Sequence, residues 1–350
     1  MEHQVITLPP RLDFVQGLEF LSATRNIARD RDIIFDFSNV NWVEPFGMLL
    51  VASRIRRLVG FCHNHGIACH ATGYSGAQMS LDYLGHVGFF QSLGLDFGKE
   101  PGQAPGNTRY IPVTEITKSA VVNDPAARLD THVGESVERY SHKLATILAQ
   151  NNKNLHATLS YCIREIIRNV FEHSGTDSVW IVGQCWPNNN KVEVAILDEG
   201  IGIKRSLAQN PNLNITSDAD ALTWAIRPGI SGKAHQVNLY RLRRSTNDWD
   251  NSGYGLFVTH KLSQLVGEFV ITSGSNALLV TPAGMQLYTA GFHGTAIKIL
   301  LTISKLPQLD QAISQIVNEG ERIAQESATA IGRASRASAS VHIGDEEPPF

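Results

Sequence analysis

The chain has 350 residues, a net charge of −3, a hydrophobic fraction of 43% and a charged fraction of 18%, which suits two domains of roughly 100–200 residues with sizeable cores. That balance excludes nucleic-acid or membrane attraction driven by net charge, no run of about 18 apolar residues suggests a membrane span, and Met1-Glu2-His3-Gln4 lacks the basic and apolar regions of a secretory signal. Four cysteines (Cys62, Cys69, Cys162, Cys185) without framework spacing point to reduced thiols and a cytoplasmic protein.

Taken in chain order, Ile33-Ile34-Phe35-Asp36-Phe37 predicts a buried strand. Residues 47–61 carry Leu49, Leu50, Ala52, Ile55, Leu58 and Val59 at helical spacing. Gly66 is a helix stop, and Ile67 to Ala71 predicts the next strand. Strand, helix, strand implies a small α/β unit over 1–97. Five potential zinc ligands lie in this stretch: Cys62, His63, His65, Cys69 and His70. Gly66 is expected to split them between a helix end and a strand whose side chains alternate, so a closed metal site is not expected.

Residues 98–109 hold Pro101, Gly102, Pro105 and Gly106 with few apolar residues and read as a linker. Regular structure is expected from 110 to 303. An amphipathic helix follows within 304–326 on Leu309, Ile313, Ile316, Val317 and Ile323, and a disordered tail over 327–350.

Within 110–303 the most informative helix is Leu155 to Ser174. Leu159, Cys162, Ile163, Ile166 and Val170 form its apolar stripe, and Arg164 and Arg168 fall opposite, where solvation is expected. Glu165, Asn169 and His173 are spaced i, i+4, i+8 along one edge of the stripe. A carboxylate there can orient or deprotonate a water, and an amide oxygen can take a magnesium position. A helix edge that merely happens to be polar gives the same row.

Ser178 to Cys185 and Lys191 to Leu197 predict antiparallel strands joined by Pro187-Asn188-Asn189-Asn190. The second runs into Asp198-Glu199-Gly200-Ile201-Gly202, where two glycines allow a turn and Asp198 can accept a hydrogen bond from an exocyclic amine. A second glycine cluster, Gly253-Tyr254-Gly255-Leu256, opens a helix to Val266, so backbone N–H groups there suit phosphate. Some fifty residues lie between the clusters, including Gly229, Gly232, Lys233, Arg241, Arg243 and Arg244; they read as a lid or as a disordered insertion. His293-Gly294-Thr295 precedes a strand, Ala296 to Leu301.

In that order (Glu-x-x-x-Asn on a helix, Asp-x-Gly-x-Gly after a strand, Gly-x-Gly-Leu opening a helix, Gly-Thr before a strand) residues 110–303 resemble the GHKL ATPase superfamily. Gyrase B subunits, sensor histidine kinases and anti-sigma-factor kinases belong to it. The resemblance implies a Bergerat-fold ATP-binding domain, a mixed sheet covered by helices on one face. It implies ATP and Mg2+ as ligands, with Glu165 as general base and Asn169 as the magnesium ligand. Asp198 would take the adenine amino group with Thr295 beside it and Gly200 and Gly202 shaping the turn. Gly253, Tyr254, Gly255 and Leu256 would form the phosphate loop. His173 matches a position often histidine in the kinase branches, and Glu199 replaces a frequent asparagine.

Residues 1–97 resemble a STAS domain, through Phe35-Asp36-Phe37-Ser38-Asn39-Val40 and Glu44-Pro45-Phe46-Gly47. Pro45 and Phe46 stand where phosphorylatable members carry a hydroxyl, which implies a docking or dimerisation module. The expectation is a cytoplasmic ATP-binding regulator of a protein partner, STAS-like or sigma-factor-like, acting as a switch or an anti-sigma-like serine/threonine kinase. A homodimer is compatible with it, and no specific nucleic acid or membrane is expected. The alternative is a slow ATPase driving conformational change or assembly, for example in bacterial stress or phage defence. A sensor histidine kinase is disfavoured because His142 lies too close to Glu165 for a separate phosphoacceptor module.

Overall fold

The computed structural model describes residues 3–27, 31–75, 78–103, 109–123, 133–232, 253–309 and 312–327. The expectations for Lys233, Arg241, Arg243 and Arg244 and for the tail beyond 327 lie outside them. In the N-terminal lobe the elements are β1 His3–Thr7, β2 Arg11–Leu12, α1 Phe14–Ala23, β3 Asp32–Asp36, β4 Trp42–Val43, α2 Pro45–Asn64, β5 Cys69–Thr72, α3 Met79–His86 and α4 Phe89–Ser92. The C-terminal lobe follows with β6 Tyr110–Thr117, α5 Lys118–Val122, α6 Val133–Ala149, α7 Lys153–His173, β7 Ser178–Trp186, β8 Lys191–Asp198, α8 Gly202–Leu207 and α9 Asp218–Ala225. It closes with α10 Gly255–Val266, β9 Gly267–Thr281, β10 Gly284–Thr302 and α11 Ala312–Gln325.

The architecture is α/β, as the sequence implies. Strands β1, β3 and β5 pair in parallel, order β1-β3-β5. Helix α2 starts with Pro45 in its first turn, where a missing N–H costs nothing, and its exit turn places Gly66 at φ 68. In the second lobe the strand order is β6-β7-β8-β10-β9. A mixed sheet was expected there; among the described residues every pairing in it is antiparallel. Two of the four pairings are hairpins, β7–β8 through a 3-10 turn at Pro187–Asn189 and β9–β10 through a short turn, and antiparallel neighbours allow such tight connections.

Side chains alternate across this sheet. Val192, Val194 and Ile196 of β8, with Ile297, Ile299 and Leu301 of β10, face a core shared with α6, α7 and α10. Ala195 and Leu197, with Val182, Val270 and Ala296, face the opposite way and pack in one cluster with Phe46, Leu49 and Leu50 of α2. The second face is therefore covered as well, by the N-terminal lobe. The described part of the 98–109 segment is hydrogen-bonded at both sides: Lys99 N–H donates to Gly85 O at 2.8 Å and Gly102 N–H to Val113 O at 2.8 Å.

Candidate functional site

The site begins where β8 ends. Asp198 is buried, and one carboxylate oxygen, Oδ1, accepts the Gly200 N–H at 2.8 Å. Thr295 lies opposite it in register on β10 and bonds to it through both side chain and backbone. Burial pushes the Asp198 carboxyl up to about 6, against the hydrogen bonds from Gly200 and Thr295, which pull it down.

The turn after Asp198 is fixed by close backbone approaches. A Cβ on Gly200 would lie 2.1 Å from Ser174 O, the C-cap carbonyl of α7, which accepts the Ile201 N–H at 2.7 Å. Gly202 takes φ 77. Ile203 N–H donates to Ser273 Oγ at 3.0 Å, and that hydroxyl donates to Gly294 O at 2.7 Å. Gly294 has φ 96, and a Cβ there would sit 2.1 Å from Asp198 O. Gly294→Ala therefore combines left-handed strain with a backbone collision. It should destabilise the fold by about 1–3 kcal/mol or more, read as a lower midpoint in urea unfolding; an unchanged midpoint would contradict this packing.

A cleft opens between α7, the sheet and the start of α10. Its walls are largely apolar (Ile166, Val170, Ile203, Leu207, Ile230, Ile297), with Asp198 and Thr295 at one end and Asn169 and His173 along α7. Gly253, Gly255 and Leu256 line the opposite rim. Tyr254, the N-cap of α10, supplies no side-chain cap bond, so the first turn of this 12-residue helix presents backbone donors and its positive dipole end. A largely apolar cleft bordered by a carboxylate and by a helix N-terminus suits an aromatic amine carrying phosphates.

The structure thus brings Asn169, His173, Asp198, Gly253, Gly255, Leu256 and Thr295 to one cleft. Glu165, Gly200, Gly202 and Tyr254 are not among its walls. Gly200 and Gly202 shape the turn behind Asp198, and Tyr254 is buried edge-on to Phe257 at 6.5 Å. Glu165 is buried beside the cleft, its Oε2 so close to Gly255 that a Cβ there would meet it at 2.0 Å. The other oxygen accepts from Arg164 at 3.0 Å and lies 3.7 Å from Arg168.

This corrects the expectation that Arg164 and Arg168 are solvated. Helix α6 covers that face of α7, and Glu138, Glu165 and Glu172 pair with the two guanidinium groups, which is what permits their burial. The sequence reading also missed Ser206 and Ser231 of the cleft and the bridging Ser273, while Gly232, read there as part of a lid, lines the cleft as well. Ser206 sits four residues past Gly202, and Ser231-Gly232 follows Pro228-Gly229, so proximity to glycine turns was the available signal. Ser273 gave none, because its partners, the Ile203 N–H and Gly294 O, are distant in the chain.

Residues 155–305 match the family described as histidine kinase-, DNA gyrase B- and HSP90-like ATPase. The match supports ATP binding by this domain. No curated protein and no solved structure matches the chain.

Proposed function

We propose that the cleft of residues 155–305 binds magnesium-ATP and that the chain is a regulatory protein whose nucleotide state controls a protein partner. The carrying observation is the pairing of a buried Asp198, placed to accept from an adenine amine, with the N-terminal end of α10 and its Gly253 and Gly255 across an apolar cleft. Asn169 lies on the α7 wall, and its amide oxygen is a hard donor of the kind magnesium takes alongside phosphate oxygens and waters. Bound there, the ion would offset phosphate charge. His173, one turn further along α7, borders the same space.

Glu165 bears on the reaction. One oxygen, Oε1, is engaged by Arg164 and Arg168, while Oε2 is buried against Gly255 behind the rim and Glu165 is not itself a wall of the cleft, so the carboxylate does not reach a water in the cleft in this conformation. That favours a binding switch, or transfer of the γ-phosphoryl group to a partner hydroxyl with ADP as leaving group, over free hydrolysis. An anti-sigma-like serine/threonine kinase fits this reading, with the STAS-like lobe as the docking module. A slow ATPase is the second reading and needs Oε2 of Glu165 to gain access to the cleft past Gly255. Among the described residues no helix is long and apolar enough to cross a membrane.

Asn169→Ala should abolish magnesium-dependent ATP binding in calorimetric titration, while Glu165→Ala should keep affinity within about threefold and lose any turnover. Normal affinity in Asn169→Ala would sink the assignment. Incubation with γ-labelled ATP separates the outcomes: a labelled partner supports a kinase, free phosphate an ATPase, and neither a switch.

A further inference from the structure

Helix α2 of the N-terminal lobe crosses the back of the sheet against β7, β8 and β10. Its Arg56 reaches the end of β8 from that back face. The guanidinium lies 4.0 Å above the Trp180 ring of β7, and one nitrogen, Nη2, bonds to Glu199 at 3.0 Å. Both partners are largely shielded, with side-chain exposures of 15% and 28%. Glu199 immediately follows Asp198 and precedes Gly200, so the ion pair grips the turn that shapes the adenine end of the cleft. A stacked, shielded guanidinium–carboxylate pair constrains geometry more than an exposed one does.

We propose that Arg56 is a positioning residue for the nucleotide site: stacked on Trp180, it holds Glu199 and thereby the Asp198–Gly202 turn. Seating of the N-terminal lobe and occupancy of the cleft are then thermodynamically linked. By reciprocity, a partner that pulls α2 from the sheet lowers nucleotide affinity, and bound nucleotide resists that partner by the same factor. The inference rests on the nucleotide reading above for its ligand, but its structural half does not.

Three amides report on the turn without any ligand: Gly200 N–H to Asp198, Ile201 N–H to Ser174 and Ile203 N–H to Ser273. The test uses the full chain as wild type, Arg56→Ala, Arg56→Lys, Glu199→Gln and the Arg56→Ala/Glu199→Gln double variant. Hydrogen exchange at these amides, magnesium-ATP titration and thermal melting are measured on each. In Arg56→Ala the amides should exchange faster and ATP affinity fall about 5- to 50-fold, within the usual range of site coupling. Arg56→Lys should recover part of it. In the Glu199→Gln background Arg56→Ala should add little, because the effect runs through that carboxylate. Unchanged exchange and affinity with only a lower melting temperature would make Arg56 a scaffold residue and overturn the proposal, as would additive losses in the double variant. A wild type that binds no magnesium-ATP refutes the nucleotide reading instead, and the exchange data alone then decide whether Arg56 holds the turn.

Discussion

Asp198→Asn should weaken ATP binding by about 10- to 150-fold at pH 7.5, the value of one hydrogen bond to a buried charged group. Asp198→Ala should weaken it at least as much. Asp198 is the sole carboxylate among the described walls of the cleft, so no neighbour can substitute for it. Wild-type binding should also carry a pH signature. Burial raises this carboxyl to about 6, and only the ionised form accepts from an amine through both oxygens. Affinity should therefore hold above pH 6 and fall below it, by at most tenfold per pH unit, relative to a flatter Asp198→Asn profile.

The stability consequence has the opposite sign. A carboxyl whose folded value lies above its unfolded one takes stability away as pH rises between the two, here from about 4 to about 6. Asp198→Asn should thus be as stable as wild type, or more so, at pH 7.5 while binding worse. Calorimetry and thermal melting across pH 5–8 check both halves; equal affinity of the two proteins at pH 7.5 would refute the role.

A large stability loss is expected at Glu193→Ala, about 3–5 kcal/mol, the usual cost of breaking a buried ion pair from one side. Glu193 lies in β8 on the face toward the N-terminal lobe. It accepts the Phe46 N–H of α2 at 2.9 Å and lies 3.8 Å from Lys298 of β10. Glu44, the N-cap of α2, makes no side-chain cap bond, so the acceptor for that helix start comes from the sheet. Truncation strands both the N–H and the Lys298 ammonium, which keeps only the half-exposed Glu268 at 3.4 Å. Glu193→Gln retains an oxygen for Phe46 and should lose less. Urea unfolding measures both, and a loss below about 1 kcal/mol for Glu193→Ala would show that the pair carries little.

What was legible in the sequence was local. The α7 stripe, the β7–β8 turn, and the placing of Asp198 and the two glycine clusters at element ends all follow from spacing within some twenty residues, and the structure gathers Asn169, Asp198, Gly253 and Thr295 around one cleft. What escaped depended on partners far away. A helical wheel puts Arg164 and Arg168 outside, and only α6, with Glu138, turns that side into an interior. Glu165 reads as a cleft carboxylate by its spacing, but the arginine beside it and the one a turn later compete for it. Ser273 and Glu193 look like unremarkable strand residues until β9 and β10 bring their partners. One signal was present and unused: Val192 to Leu197 is apolar at nearly every position, not at alternate ones, the mark of a strand buried on both faces.

That two-sided strand bears on where the chain can be divided. Composition changes sharply near residue 100, yet the material there is a seam inside one folding unit. Cutting at the seam would strip the cover from Val182, Ala195, Leu197, Val270 and Ala296 and leave a bare apolar wall on the nucleotide-binding half. The half with the ligand site takes its back wall from its neighbour, so the two are expected to melt as one.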